Sequence, residues 1–339
     1  MKKAVRLTDV AELAKTSVKT ASRVMNGDER VAPGTQKRVQ DAVSELGYRV
    51  NLVARSLRKG TDDVIGIAVP SIGDPFFAVA IDEIEGIALE RGFQLIIASN
   101  HNDLEQERRI ISQLEQRRVS GMIITPNHVD YSFLVNSQIP AVFFDRAPRN
   151  YTGDVVLVDD ILGAQSAIEH LISFGHQRIA FLSDGLDIPT SGLRYKGYVA
   201  ALVKHGIPLS PDLIFTGGTS AKRAEEIVRR LIDENPDVSA MFSTRSSLSI
   251  GAVKALHDLY RTDIAFVSFG DFDMSDVVEP KVTVIDHSPR DLGRLAINKL
   301  MTKIDGVAIP TERILSKLIL IPRGSGEIPV SAVRSARTD

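Results

Sequence analysis

The residues whose types and spacing could do chemistry fall into two sets. The first lies between Ser17 and Asn26, where Lys19 and Arg23 stand one helical turn apart and Val18, Ser22 and Asn26 share or border their side. Arginine and lysine donate to guanine O6 and N7 in a DNA major groove, and serine and asparagine reach base edges or phosphates. The same row would also suit the solvated face of a small helical domain. The second set follows apolar runs: Asp74, Phe76 and Phe77 after VIGIAVP, Asp145 and Arg146 around the end of AVFFD, and Arg194 after IAFLS. Aspartate and arginine make paired, charge-assisted hydrogen bonds to hydroxyl groups. A phenylalanine face suits the C–H face of a polyol, although one of the two is expected in the core.

Neither set is catalytic. The sequence contains no HExxH, no G-x-S-x-G and no G-x-x-x-x-G-K-[ST]. Its histidines at 101, 128, 170, 176, 205, 257 and 287 show no metal-ligand spacing. We therefore expect no enzyme, no metal and no cofactor. The absence of cysteine removes disulfides and thiolate sites and fits a reducing cytoplasm. MKKAVRLTDV has no apolar stretch behind its basic residues, so it does not read as an export signal, which argues against a transport-associated binding protein. No apolar run approaches the ~20 residues that span a bilayer. The net charge of −2 conceals an asymmetry: residues 1–60 carry 13 lysines and arginines against 6 acids, and the rest carry 28 against 37. A basic start on an acidic body points to a polyanion partner for the start alone.

The first set needs helices to position it. In 8–46, Val10, Leu13 and Ala14 fall at helical spacing behind Thr8 or Asp9 as N-cap. Ser17 caps a second helix to about Met25, with Ala21, Val24 and Met25 inward, and Asn26-Gly27 stops it. Pro33 opens a third, burying Val39, Ala42, Val43 and Leu46. Two short helices, a tight turn and an outward polar row make a helix-turn-helix. Asn51 begins a hinge segment of about two turns, too short to hold alone in water. The second set needs strands. Strand and helix patterns alternate from Asp63 onward, which implies parallel sheets covered on both faces. The alternation restarts near 150–163, with DVVLV (154–158) opening a second series, so two similar lobes are expected.

DVAELAKTSVKTASRVMNG (9–27) and TQKRVQDAVSELGYRVNLVARSL (35–57) closely resemble the lac-repressor (LacI/GalR) family of bacterial transcription factors. GDPFF (73–77), FFDRAP (143–148), HLISFGHQRIAFL (170–182), LRYKGY (193–198) and VSFGDF (267–272) extend the resemblance into that family's sensor domain, which is similar to periplasmic sugar-binding proteins. Departures are local. Lys15 stands at the glycine of the first turn, and Ala32 where a serine usually caps the third helix.

The resemblance implies an α/β chain: a helix-turn-helix headpiece (1–49), a hinge helix and linker (50–62), and a doubly wound, two-lobed sensor (63–329) with a frayed tail (330–339). Lobe one would comprise 63–160 plus 289–322, and lobe two 161–288. It implies a homodimer on double-stranded operator DNA, most often a repressor, with no membrane partner. The DNA-facing residues would be Thr8, Ser17, Val18, Lys19, Thr20, Ser22, Arg23 and Asn26. In the hinge, Leu57 would wedge the central base step, Ala54 face the partner helix and Arg58 approach phosphate; a flexible linker with an incidental leucine is the plainer reading. In the cleft, Arg194 matches the family's hydroxyl- or carboxylate-binding arginine. Arg245-Ser246 replaces the usual Asn-Asp, and Ser268-Phe269-Gly270 the usual Gly-Phe-Asp, with Asp271 a displaced acceptor. Two acids fewer and one arginine more make the floor of the pocket less acidic, which counts against an ordinary hexose or pentose. Because Asp74 and Asp145 remain, a neutral sugar, polyol or cyclitol such as inositol is expected, with a sugar acid or sugar phosphate as the alternatives. Inducer is the commoner role, corepressor the other.

Overall fold

The apolar runs become two parallel sheets, and the helical stretches pack on their faces. The computed structural model describes residues 5–25, 28, 30–48, 62–127, 130–308 and 310–330. The chain divides into a unit ending at Asp62 and a unit from Asp63 onward.

In the first unit, α1 (Leu7–Leu13), α2 (Val18–Met25) and α3 (Pro33–Leu46) enclose a small core of Val10, Ala11, Ala14, Ala21, Val39 and Ala42. The first helix starts two residues earlier than a Thr8 cap would place it, and three earlier than an Asp9 cap. Arg6 holds the cap position, and Asp9 reaches back to accept from the Arg6 amide at 2.8 Å. Leu13 is 41% exposed, because Ala11 takes the inward position beside Val10 and Ala14. Ala32 caps α3 with no side-chain hydrogen bond.

The second unit holds two six-stranded sheets. The first lobe runs β1 (Asp62–Val69), α4 (Pro75–Glu90), β2 (Gln94–Ser99), α5 (Leu104–Gln116), β3 (Val119–Ile124), β4 (Ala141–Phe144) and β5 (Asp154–Val158). The second runs α6 (Asp160–Ser173), β6 (Ile179–Leu182), α7 (Pro189–Lys204), β7 (Ile214–Phe215), α8 (Ala221–Glu234), β8 (Ala240–Ser243), α9 (Ser246–Asp258), β9 (Ala265–Phe269) and β10 (Thr283–Asp286). Next, α10 (Pro289–Ile304) returns to the first lobe, packing on α4 and over β3 to β5. Finally β11 (Arg313–Ser316) joins the first sheet and β12 (Ile319–Ile321) the second. The sheet orders are β11-β5-β4-β3-β1-β2 and β12-β10-β9-β8-β6-β7. In the first, β1-β2, β3-β4, β4-β5 and β5-β11 pair parallel; in the second all pairs are parallel except β12 with β10, which is antiparallel.

Two sequence expectations are corrected. DVVLV does not open the second series: β5 pairs with β4 and β11 inside the first sheet. The expected lobe-one segment 289–322 is divided, because Lys317 and Leu318 carry the chain across before β12 pairs with β10. Both arise because a run of apolar residues shows that a strand is buried, not which neighbour it pairs with.

Helices pair through glycines that admit a backbone. A Cβ on Gly293 of α10 would lie 2.5 Å from the Ala80 carbonyl of α4, and one on Gly197 of α7 2.3 Å from that of Ile161 in α6. His176 is structural, as expected of its stretch: buried, it bonds Ser239 Oγ (3.0 Å) and the Ile328 carbonyl (2.7 Å), docking the C-terminal segment on the second lobe. Among the described residues no helix is long and apolar enough to cross a membrane.

Candidate functional site

In the headpiece, Ser17 Oγ accepts from the Thr20 amide (3.0 Å) and shares a 2.8 Å hydrogen bond with the Thr20 hydroxyl. Both hydroxyls are thus engaged in capping α2. Ala21 is fully buried, while Lys19 and Arg23 are exposed, Val18 is exposed and Ser22 is half-buried. Arg23 Nε lies 3.9 Å from Asp28, which Arg30 grips through two 2.8 Å bonds that lower the Asp28 pKa to about 2. Thr8 is exposed in α1, its hydroxyl 3.4 Å from Asp9. The turn between α1 and α2 holds Lys15 at φ +49°, so the departure from glycine places a Cβ in left-handed backbone. Asn26, Ala54, Leu57 and Arg58 lie outside the described residues.

In the second unit the strand ends of both lobes converge on a cleft. Asp74, Phe76, Phe77, Asp145 and Arg146 line it from the first lobe, and Arg194, Arg245 and Ser246 from the second. Asp271 is absent from the lining, which corrects its assignment as a displaced acceptor. Its carboxylate is occupied by Arg323 (2.9 Å) and the Phe272 amide (2.9 Å), contacts that hold its pKa down against partial burial. Gly270 itself has φ +92°, and a Cβ there would sit 2.8 Å from Ser246 Oγ and 3.0 Å from His287 Cε1. An aspartate at this place would collide with the residues now occupying the site.

The charges of the cleft are matched one against another. Asp145, at φ +68°, is buried, and burial raises its pKa against the pull of Arg146. Arg146 Nε is 3.5 Å from Asp145, and Nη1 donates to Asn102 (3.1 Å) and closely to Asn127. Asn127 donates to Asn100 (2.8 Å), which donates to Glu107 (3.3 Å), a fully buried acid whose pKa burial pushes up to about 8. Arg194 donates from Nε to Asp160 (2.8 Å) and from Nη1 to the Thr244 carbonyl, with its guanidinium 3.7 Å above the Phe269 ring. Burial pushes Asp160 up to about 7 despite Arg194. Arg245 bonds both Asp74 and Asp184; burial works against its charge, but the two acids outweigh this and raise its pKa.

The apolar wall is partly core. Phe76 and Phe77 are both buried in the first-lobe cluster, not one alone, and Phe76 lies parallel to His287 at 4.8 Å and to Phe144 at 5.6 Å. Sequence reading missed Asp184, Thr190, Ser191, Phe269 and His287. Signals for Asp184, His287, Thr190 and Ser191 were present. Asp184 follows β6 and His287 follows β10, the positions a strand-end rule selects, and Pro189 marks a helix start earlier than Arg194. His287 is buried, its pKa driven down to about 3 by burial and then by Arg194, and its Nδ1 has no hydrogen-bond partner. It is a neutral polar group facing a binding space. Among the described residues no group of three or more His, Cys, Asp or Glu could hold a metal ion.

A three-helix headpiece with an exposed polar helix, followed by a two-lobed α/β fold with a cleft at its strand ends, defines a ligand-responsive DNA-binding regulator. Residues 6–51 match the description "Bacterial regulatory proteins, lacI family", and residues 62–327 match "Periplasmic binding proteins and sugar binding domain of LacI family". The ribose operon repressor of Escherichia coli (strain K12) is 29% identical over 327 residues, covering 94% of this chain and 99% of that protein. The lac repressor dimer bound to operator and the anti-inducer ONPF superposes with a TM-score of 0.84 at 26% identity, covering 96% of this chain and 99% of the other. A complex of the transcriptional regulator CelR with cellobiose gives 0.69 at 26% identity, covering 95% and 99%. The chain belongs to the lacI family and is a DNA-binding transcriptional repressor with a sugar-binding domain.

Proposed function

We propose that this repressor binds a pseudo-palindromic operator as a homodimer and is released by a small, uncharged, carbohydrate-like effector: a sugar, a polyol or a cyclitol such as inositol. The observation that carries the effector class is the pairing of charges in the cleft. Arg146 faces Asp145, Arg194 faces Asp160, and Arg245 faces Asp74 and Asp184. Among the described residues that line the cleft no arginine is left over for a carboxylate or phosphate, and an anion would have to break a buried pair. Asp145, Ser246, Thr190 and the neutral His287 supply donors and acceptors suited to hydroxyl groups.

On the DNA side, Lys19, Ser22 and Arg23 enter the major groove. Thr8, Ser17 and Thr20 support the docking of α2, and the hinge with Ala54, Leu57 and Arg58 completes the contact. Two-fold symmetry of the dimer imposes two-fold symmetry on the site. The effector destabilises the hinge helices by biasing the lobes, for which a coupling of ~1–3 kcal/mol suffices.

The test is a thermal-shift screen of neutral sugars, polyols, cyclitols, sugar acids and sugar phosphates, each hit then assayed for release of operator DNA. A ligand at 100 times its Kd stabilises the native state by about 2.7 kcal/mol. Neutral hits that release DNA support the reading. Hits confined to sugar phosphates or acids would refute the charge argument, and a hit that tightens DNA binding would make the effector a corepressor.

A further inference from the structure

Among the described residues, the one guanidinium that forms an ion pair from the second lobe to an acid of the first is Arg245, through a fork whose two ends grip different lobes. Its backbone is fixed where β8 turns into α9, with its carbonyl accepting from Leu248 and Ser249 at 3.0 Å each. Nη1 donates to Asp184 at 2.7 Å, within its own lobe. Nη2 donates to Asp74, which follows β1 in the other lobe. Both acids are buried, at 6% and 4% exposure, whereas the Arg245 side chain is 25% exposed at the rim.

Each acid is anchored at home by its other oxygen. Asp74 Oδ1 accepts from the Phe76 amide at 3.0 Å, which caps α4. Asp184 Oδ1 accepts closely from Ser191 Oγ and at 3.4 Å from Ser183 Oγ. Neither carboxylate is free to swing, so the distance between the lobes is what the guanidinium fixes. Without it, two buried acids would confront each other across the cleft, and like charges at short range in a poorly solvated site repel.

We propose that Arg245 is the positioning residue of the cleft: it straps the first lobe to the second through Asp74 and sets how far the cleft is closed. This rests on the reading of the cleft as the effector site. An effector enters against a strap that is already satisfied, and it binds by exploiting Thr190, Ser246, Asp145 and His287 while Asp74 and Asp184 remain held.

The absence of cysteine makes a direct test possible. Glu85→Cys on α4 and Lys222→Cys on α8, both at exposed positions in opposite lobes, carry a dye pair for single-molecule energy transfer. One doubly labelled chain is diluted into excess unlabelled full-length protein, with no effector present, so the outcome is independent of any effector screen. Arg245→Ala and Asp74→Asn are expected to lengthen the separation between lobes by several ångströms. Asparagine still caps α4, so Asp74→Asn keeps the test open should Arg245→Ala not fold. Asp184→Asn leaves the cross-lobe bond and is expected to keep the wild-type separation. An unchanged separation in folded Asp74→Asn would overturn the strap. So would an equal lengthening in Asp184→Asn, because that would trace the effect to lost charge, not to the link between lobes.

Discussion

Glu107 gives the stability of the sensor a pH dependence that can be worked from its surroundings. The side chain is fully buried in α5; Oε2 accepts from Asn100 at 3.3 Å and Oε1 has no hydrogen-bond partner. Burial raises its pKa from 4.5 to about 8, against the opposing pull of Arg146. An acid whose folded pKa lies above its unfolded value binds its proton more tightly when folded, so stability is greatest below pH 4.5 and declines as pH rises towards 8. At 1.36 kcal/mol per pKa unit, the cost grows by roughly 2–3 kcal/mol between pH 5.5 and 7.5. Glu107→Gln removes the ionisation and keeps the shape and the hydrogen bond. Its advantage over wild type should therefore widen by that amount across the interval, a difference of several degrees in Tm for a unit of this size. Urea or thermal unfolding at the two pH values reads it directly. Parallel curves for the two proteins would refute the buried, raised acid, whatever their offset.

Other expectations are as specific. Lys15→Gly relieves left-handed backbone in an exposed turn and should stabilise the headpiece by about 1 kcal/mol; slower hydrogen exchange of α3 amides in the full-length protein would show it, and faster exchange would contradict the strain. Arg23→Ala should cost operator affinity about 1–3 kcal/mol and relax base preference at one position per half-site, so unchanged affinity and preference in a binding titration would remove Arg23 from the groove. Arg194→Met strands the buried Asp160 and should destabilise the sensor by about 3–5 kcal/mol. Adding Asp160→Asn should restore part of that loss, and a double variant no better than the single one would mean that the pair is not the source.

The sequence by itself determined the local events. Periodicity and caps located the three headpiece helices, because amphipathic spacing and N-cap chemistry act within a few residues. Ser17 caps α2 and Ala21 faces inward as their positions require. The strand-end rule likewise found Asp74, Asp145, Arg146 and Arg194, and the family resemblance pointed to Arg245 and Ser246; all of them line the cleft. What the chain does with these residues was decided only in three dimensions. Strand partnership depends on contacts between residues far apart in sequence, so β5 joined the first sheet and β12 the second. Charge pairing has the same origin. Asp271 looked available until Arg323, 52 residues away, took its carboxylate. Arg245 looked like a simple gain of positive charge until Asp74, 171 residues away, met it across the cleft. His287 was marked in the sequence only by its place after a strand, and became a neutral binding group only once folding buried it beside Phe76, Phe269 and Gly270. Local chemistry nominates the residues of such a site; long-range packing sets their protonation, their partners and whether any of them remains free for a ligand.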